Sequence, residues 1–320
     1  MRAPTADLEA HDLLLRAGDL YYRFTERDLR RSIELYQAAL ARDSTLAAAW
    51  AGIAGAWCWL ADDWLPPREA YPRAKAAALR AIALDPALAA GHSALGVVRM
   101  LYEWDAAGAE REIGRAVSLD SARGAASYDY GELLDLLGRT DSAVAYLRRA
   151  RSVNPLDPQV TTRLGDFLAH AGRYAEAMAE YRQALELEPA HSLALIGMAD
   201  VLLRHGKPEE ALAVLGRAPE MGARVRVALA RTYAALGRRA EAGRIARELE
   251  RTARSRNVRA DGPAIVYAAL GDRDAAFRWL ERAYRDRSAS LVLNARSDVF
   301  APLHADPRWP ALLRRVGFIR

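Results

Sequence analysis

The sequence predicts an all-α protein: a right-handed solenoid of about eight antiparallel helix pairs, with no strands and a capping helix at its C-terminal end. Three observations predict it. A 34-residue phrase occurs twice in succession, GAASYDYGELLDLLGRTDSAVAYLRRARSVNPLD from Gly124 and PQVTTRLGDFLAHAGRYAEAMAEYRQALELEPAH from Pro158, and a period of that length marks a repeat architecture. Small residues and prolines recur at fixed places within it. A hydrophobic content of 52% excludes disorder, yet no apolar run reaches the roughly 18 residues of a membrane span.

Each recurring position has a physical reason. Gly131 and Gly165 lack a side chain where two helices must approach closely, which outweighs the roughly 1 kcal/mol that glycine costs inside a helix. Gly138 and Gly172 fall just past the first helix, where a left-handed cap suits glycine. Asp141 and Glu176 occupy the first turn of the second helix, where negative charge meets the helix N-terminus. Ala143, Ala150, Ala177 and Ala184 keep one face of that helix thin. Pro155 and Pro189 then stop it.

Carried outward, the period divides the chain into pairs at about 12–46, 47–88, 89–123, 124–157, 158–191, 192–222, 223–256 and 257–287, a single array over residues 1–320. In the first pair Ser44 stands where Pro155 stands. The second pair closes at Pro86 and is eight residues too long; Pro66, Pro67 and Pro72 predict that the excess is an extended loop. The third carries one extra residue near Tyr102–Asp105, and Ser121 replaces its closing proline. Pro208 suits the first position of a helix in the sixth pair, which Pro219 ends early. The remainder, 288–320, breaks the period. Asp306 and Pro307 look like a helix start, and Trp309, Leu312, Leu313 and Val316 form one apolar stripe, so this segment is expected to cap the eighth pair.

The 34-residue pattern resembles the tetratricopeptide repeat, a helix–turn–helix unit. The phrases ERDLRRSIELYQAAL, PPREAYPRAKAAALRAIALDP, YEWDAAGAEREIGRAVSLD and DPRWPALLRRVGF are further similar to bacterial arrays that form the C-terminal sensory half of winged-helix transcriptional regulators, serine/threonine kinases and nucleotide cyclases. That resemblance, from about Leu8 to Phe318, implies a signalling or transcription-regulation setting in the cytoplasm. It does not select one output, because a shared fold does not fix a function. No output domain is recognisable: the near miss to a phosphate loop, His205-Gly206-Lys207, runs into Pro208. Both an excised sensory half and a stand-alone protein fit the sequence.

Composition narrows the chemistry. The single cysteine, Cys58, excludes an internal disulfide and a cysteine metal site, and is expected to pack inside a helix pair. The six histidines show no metal-ligand spacing, and His92 reads as a packing residue. No activated-nucleophile motif is present, so no cofactor, metal or catalytic group is expected, and the protein reads as non-enzymatic. The net charge of +5 hides an asymmetry: residues 201–320 hold 24 basic and 13 acidic side chains, residues 1–200 hold 22 and 28. The arginines are scattered and offset by acids, which disfavours nucleic acid as the partner.

In this repeat class the first helix of each pair lines the concave face, and spacings of three and four select its inward residues. They are Tyr128, Glu132 and Asp135; Thr162, Asp166 and His170; Asp200 and Arg204; and Arg231. The functional reading is a groove that passes from acidic to basic and binds a protein or peptide, one of basic character included, or a zwitterionic ligand. The competing reading is a solvated helix face whose charges balance one another. A second candidate is an aromatic platform of Trp59, Trp64 and Tyr71 beside the insertion, suited to a small molecule or an unrecognised active site. Against it stands a purely structural role for the tryptophans. Trp50 and Trp57 are expected in the core. The oligomeric state is not legible.

Overall fold

A computed structural model of the chain describes residues 6–119, 125–219, 222–256 and 259–317. Two compact units divide the chain, Met1–Tyr130 and Gly131–Arg320. Both are helical, and among the described residues the one strand-like feature is an isolated bridge between Ala61 and Leu65.

The first unit pairs α1 (Leu8–Tyr21) with α2 (Glu26–Arg42), α3 (Ala47–Leu60) with α4 (Pro67–Leu84), and α5 (Ala89–Val98) with α6 (Ala106–Leu119); α7 (Ala125–Leu136) begins in it. Helix α1 starts four residues before the expected Asp12, because the Asp7 carboxylate accepts from the Glu9 and Ala10 amides, both at 3.0 Å. A core of Leu35, Tyr36, Leu46, Ile53 and Leu95 runs through the pairs, with Trp50 and Trp57 partly buried against it. Cys58 is of intermediate exposure, and burial of its sulfur pushes the thiol pKa up.

The expected proline loop is a helix. Pro67 is the first residue of α4 and Pro72 lies inside it, leaving 61–66 as the connection. Pro67 needs no amide partner at that position, and the helix accepts the missing Pro72 amide because Ala70, Tyr71, Ala74, Ala77, Ala78 and Ala81 bury one continuous face. The extra residue of the third pair is absorbed by a π-helical turn, Arg99–Glu103, followed by Trp104 in a left-handed conformation. Ser121, Gly124 and Asn257, placed at the joints of pairs, and Phe318 lie outside the described residues.

The second unit pairs the rest of α7 with α8 (Thr140–Val153), α9 (Pro158–His170) with α10 (Tyr174–Leu187), α11 (Ser192–Arg204) with α12 (Pro208–Leu215), α13 (Ala223–Ala235) with α14 (Arg239–Arg256), and α15 (Asp261–Ala269) with α16 (Arg273–Asp286). Every turn between partners is built alike. Gly138, Gly172, Gly206, Gly237 and Gly271 have φ of +70 to +79°, and the next residue donates to the carbonyl five positions back at 2.8–3.0 Å. The close approach is built around Tyr181: a Cβ on Gly165 would meet its Cε1 at 2.6 Å, and one on Gly197 its Cζ at 2.4 Å. The ring of α10 is thus wedged against both α9 and α11. After α16 come α17 (Ala289–Leu293), a 3-10 turn (Asp298–Leu303) and α18 (Arg308–Val316), with Phe300, Leu303, Trp309, Leu312 and Val316 buried.

Candidate binding groove

Helices α9, α11 and α13 turn their inward faces to a cavity of about 390 Å3 in the second unit. Asp166, His170, Asp200, Arg204 and Arg231 all line it, so five residues chosen from sequence spacing are brought together. Glu132, Asp135 and Thr162 are buried instead and do not line it. Tyr128 lies on α7 within the first unit, half-buried.

The acidic groups are engaged. Arg163 pairs with both Glu132 and Asp166 at 3.2 Å. Asp135 accepts from the Thr140 hydroxyl at 2.9 Å and lies 2.7 Å from His170 Nδ1. Asp166 also accepts from the Tyr181 hydroxyl at 2.9 Å, and Asp200 pairs with Arg231. Burial pushes the Asp166 carboxyl above the usual aspartate range, although Arg163, His170 and the Tyr181 hydroxyl pull the other way. For His170, burial acts to lower the pKa, but the hydrogen bond and charge of Asp135 and the charge of Asp166 outweigh it and the net direction is up. Burial likewise raises the Tyr181 phenol well above its normal range, helped by Asp166.

Three lining residues come from beyond the repeats. Arg296, Ser297 and Asp298 border the cavity from the turn after α17. Asp298 accepts from Arg204, whose guanidinium also lies 5.2 Å from the Tyr174 ring centroid. Arg296 reaches the outer side of Gly138, where a Cβ would stand 3.1 Å from its Nη1. The lining therefore holds Asp166, Asp200 and Asp298 against Arg204, Arg231 and Arg296, acids and bases in equal number. Tyr174 and Tyr181 were also missed, because both belong to the second helix of their pair, outside the spacing rule for the first.

The aromatic platform does not assemble as three open rings. Trp59 donates its indole N–H to the Tyr21 hydroxyl at 3.0 Å and meets the Phe24 ring at 4.6 Å. Trp64 packs on the Leu29, Ile33, Ala56 and Leu60 cluster. Tyr71 is 1% exposed and stacked on Tyr102. His92 bonds Glu112 at 2.8 Å and the Pro86 carbonyl at 3.1 Å.

Models of the tetratricopeptide repeat match residues 137–192 and 168–224. Residues 137–224 carry tetratricopeptide repeats. Solved structures show the same fold. Pseudomonas aeruginosa pilF is 22% identical over 66% of this chain and 93% of its own, with a TM-score of 0.50. TTC0263, a thermophilic TPR protein of Thermus thermophilus, is 20% identical over 61% and 99%, with a TM-score of 0.51. Human IFIT1, solved as a dimer with m7Gppp-AAAA, is 15% identical over 89% and 72%, with a TM-score of 0.60. A search of curated protein sequences finds no match. Among the described residues no helix is long and apolar enough to cross a membrane, and no cluster of three or more His, Cys, Asp or Glu is placed to hold a metal ion.

Proposed function

We propose that the protein is a non-enzymatic scaffold that binds a protein or peptide segment in the groove of α9, α11 and α13, in a regulatory role in the cytoplasm of a bacterium. The observation that carries this reading is the cavity lined by Asp166, His170, Asp200, Arg204 and Arg231. Its lining carries both signs, so the segment that fits carries both signs as well, with a basic group toward Asp200 and an acidic group toward Arg204. The tetratricopeptide repeats support recognition of a segment rather than chemistry on a substrate, and the resemblance to bacterial sensory arrays supports the regulatory role. Trp59, Trp64 and Tyr71 are committed to packing, so the small-molecule or enzymatic alternative gains no support there.

The test begins with selection of a binding peptide from a random displayed library on the full chain. Its affinity is then measured for wild type, Asp200→Asn and Arg204→Ala. The expected result is a loss of about tenfold or more for each variant, in line with breaking one charge-assisted contact, with the unfolding temperature nearly unchanged. Unchanged affinity in both variants would refute the groove as the binding site.

A further inference from the structure

Asp298 borders the groove from the turn after α17, and its carboxylate accepts from Arg204 Nη1. The backbone that presents it is fixed from behind. Val299 and Phe300, which follow it, and Leu303 are buried, and the Ser297 hydroxyl accepts from the Val299 amide at 3.4 Å. The Asp298 side chain itself is about half exposed. Its carboxylate can therefore leave Arg204 by a change of rotamer, with the turn still in place. Arg204 has a second hold, the Tyr174 ring centroid 5.2 Å from its guanidinium. That ring keeps the cation at the groove wall when Asp298 swings away.

The other acids of the lining are held more firmly. Asp200 pairs with Arg231, and Asp166 with Arg163 and the Tyr181 hydroxyl; these groups are more buried than Arg204 and Asp298. Opening those pairs leaves a charge with less water around it and is harder. The Arg204–Asp298 pair stands in water on both sides and opens readily. We propose that Asp298 is a built-in competitor of the groove: it occupies Arg204 until a bound segment displaces it with an acidic group of its own. This inference rests on the groove being the binding site. It makes the C-terminal segment a selectivity filter. A segment with a carboxylate at that position replaces the ion pair that it breaks, whereas a neutral group there gains nothing from Arg204. The competitor also holds affinity down, because Arg204 is open to a ligand only in the fraction of molecules in which Asp298 has left it.

The experiment measures the affinity of the full chain for one library-selected peptide that carries an acidic residue, and for its analogue with that residue changed to the amide. Asp298→Asn and Asp298→Ala should each tighten the acidic peptide by about two- to fivefold, the range that an exposed ion pair supplies, and move the amide analogue by less than about 1.5-fold. Asp274→Ala releases Arg308 of the C-terminal segment away from the cavity and should change neither peptide, which separates competition from loosening. The unmodified protein supplies a readout independent of any variant: the Asp298 carboxyl carbon should shift by NMR on adding the acidic peptide and stay in place with the amide analogue. A selection that yields no acid-bearing peptide, no tightening by either Asp298 variant, equal tightening of the amide analogue or by Asp274→Ala, or an unmoved Asp298 carboxyl would each overturn the proposal. A loss of affinity in Arg204→Ala without a gain in the Asp298 variants overturns the competitor alone. Unchanged affinity in both Arg204→Ala and Asp200→Asn overturns the groove, and the competitor with it.

Discussion

Asp298 and Arg204 form an ion pair across 94 residues of sequence, joining the turn after α17 to the last residue of α11. This contact makes the C-terminal segment a wall of the groove. Both side chains remain about half exposed, at 54% and 47%, and an exposed pair contributes only about 0–1 kcal/mol. Asp298→Ala should therefore lower the melting temperature by less than about 3 °C while leaving Arg204 available to an incoming carboxylate. Thermal unfolding followed by circular dichroism checks this; a drop of about ten degrees, well beyond what an exposed pair supplies, would make the contact structural.

Tyr181 is the wedge that sets the spacing of α9 and α11. Gly197→Ala would force a methyl into its ring and should destabilise the protein by about 1–3 kcal/mol. The two positions should couple. In a Tyr181→Leu background the same substitution should cost clearly less, read as a double-mutant cycle in urea. Strict additivity would mean that the ring is not what keeps residue 197 a glycine.

The C-terminal segment covers α15 and α16 through buried Phe300, Leu303, Trp309 and Leu312, reinforced by Arg308–Asp274 at 2.8 Å and Arg315–Glu281 at 2.5 Å. Trp309→Ala should cost about 3–5 kcal/mol. In a repeat array each unit leans mainly on its neighbours, so the loss should be local. Hydrogen exchange should quicken across α15 and α16 and change little in α8. A uniform change along the second unit would argue against a cap.

His170 provides the pH prediction. Its folded pKa lies above the ordinary value of 6.5, so its stabilising contribution is fully present below about pH 6.5 and fades as pH rises through the raised folded value. The His170 ring should titrate above 6.5 by NMR. Asp135→Asn removes the hydrogen-bonding carboxylate and should bring the midpoint down, flattening the fall in stability over that window. A midpoint unmoved by Asp135→Asn would place the cause elsewhere.

The helix pairs were legible because their punctuation is local. Gly138 and Gly172 announce left-handed turns one by one, Gly206, Gly237 and Gly271 repeat them in the structure, and the extra residue near Tyr102 surfaces as a π turn. Pro72 misled because proline rules describe one residue, whereas α4 is held by a whole buried face of alanines and Tyr71. The inward spacing of three and four found Asp166, His170, Asp200, Arg204 and Arg231. It could not tell that Glu132, Asp135 and Thr162 are buried, since spacing gives direction but not depth. Arg296, Ser297 and Asp298 were invisible for another reason: they belong to a segment without the period, placed by long-range contact.

The most direct test of the groove is backbone chemical-shift mapping of the full chain with a library-selected peptide. Binding at the cavity predicts that the largest changes fall on residues 166–174, 197–204, 231 and 296–298, with α14 and α16 unaffected. Changes centred on α3 and α4, around Trp59 and Trp64, with the cavity residues unmoved, would contradict it.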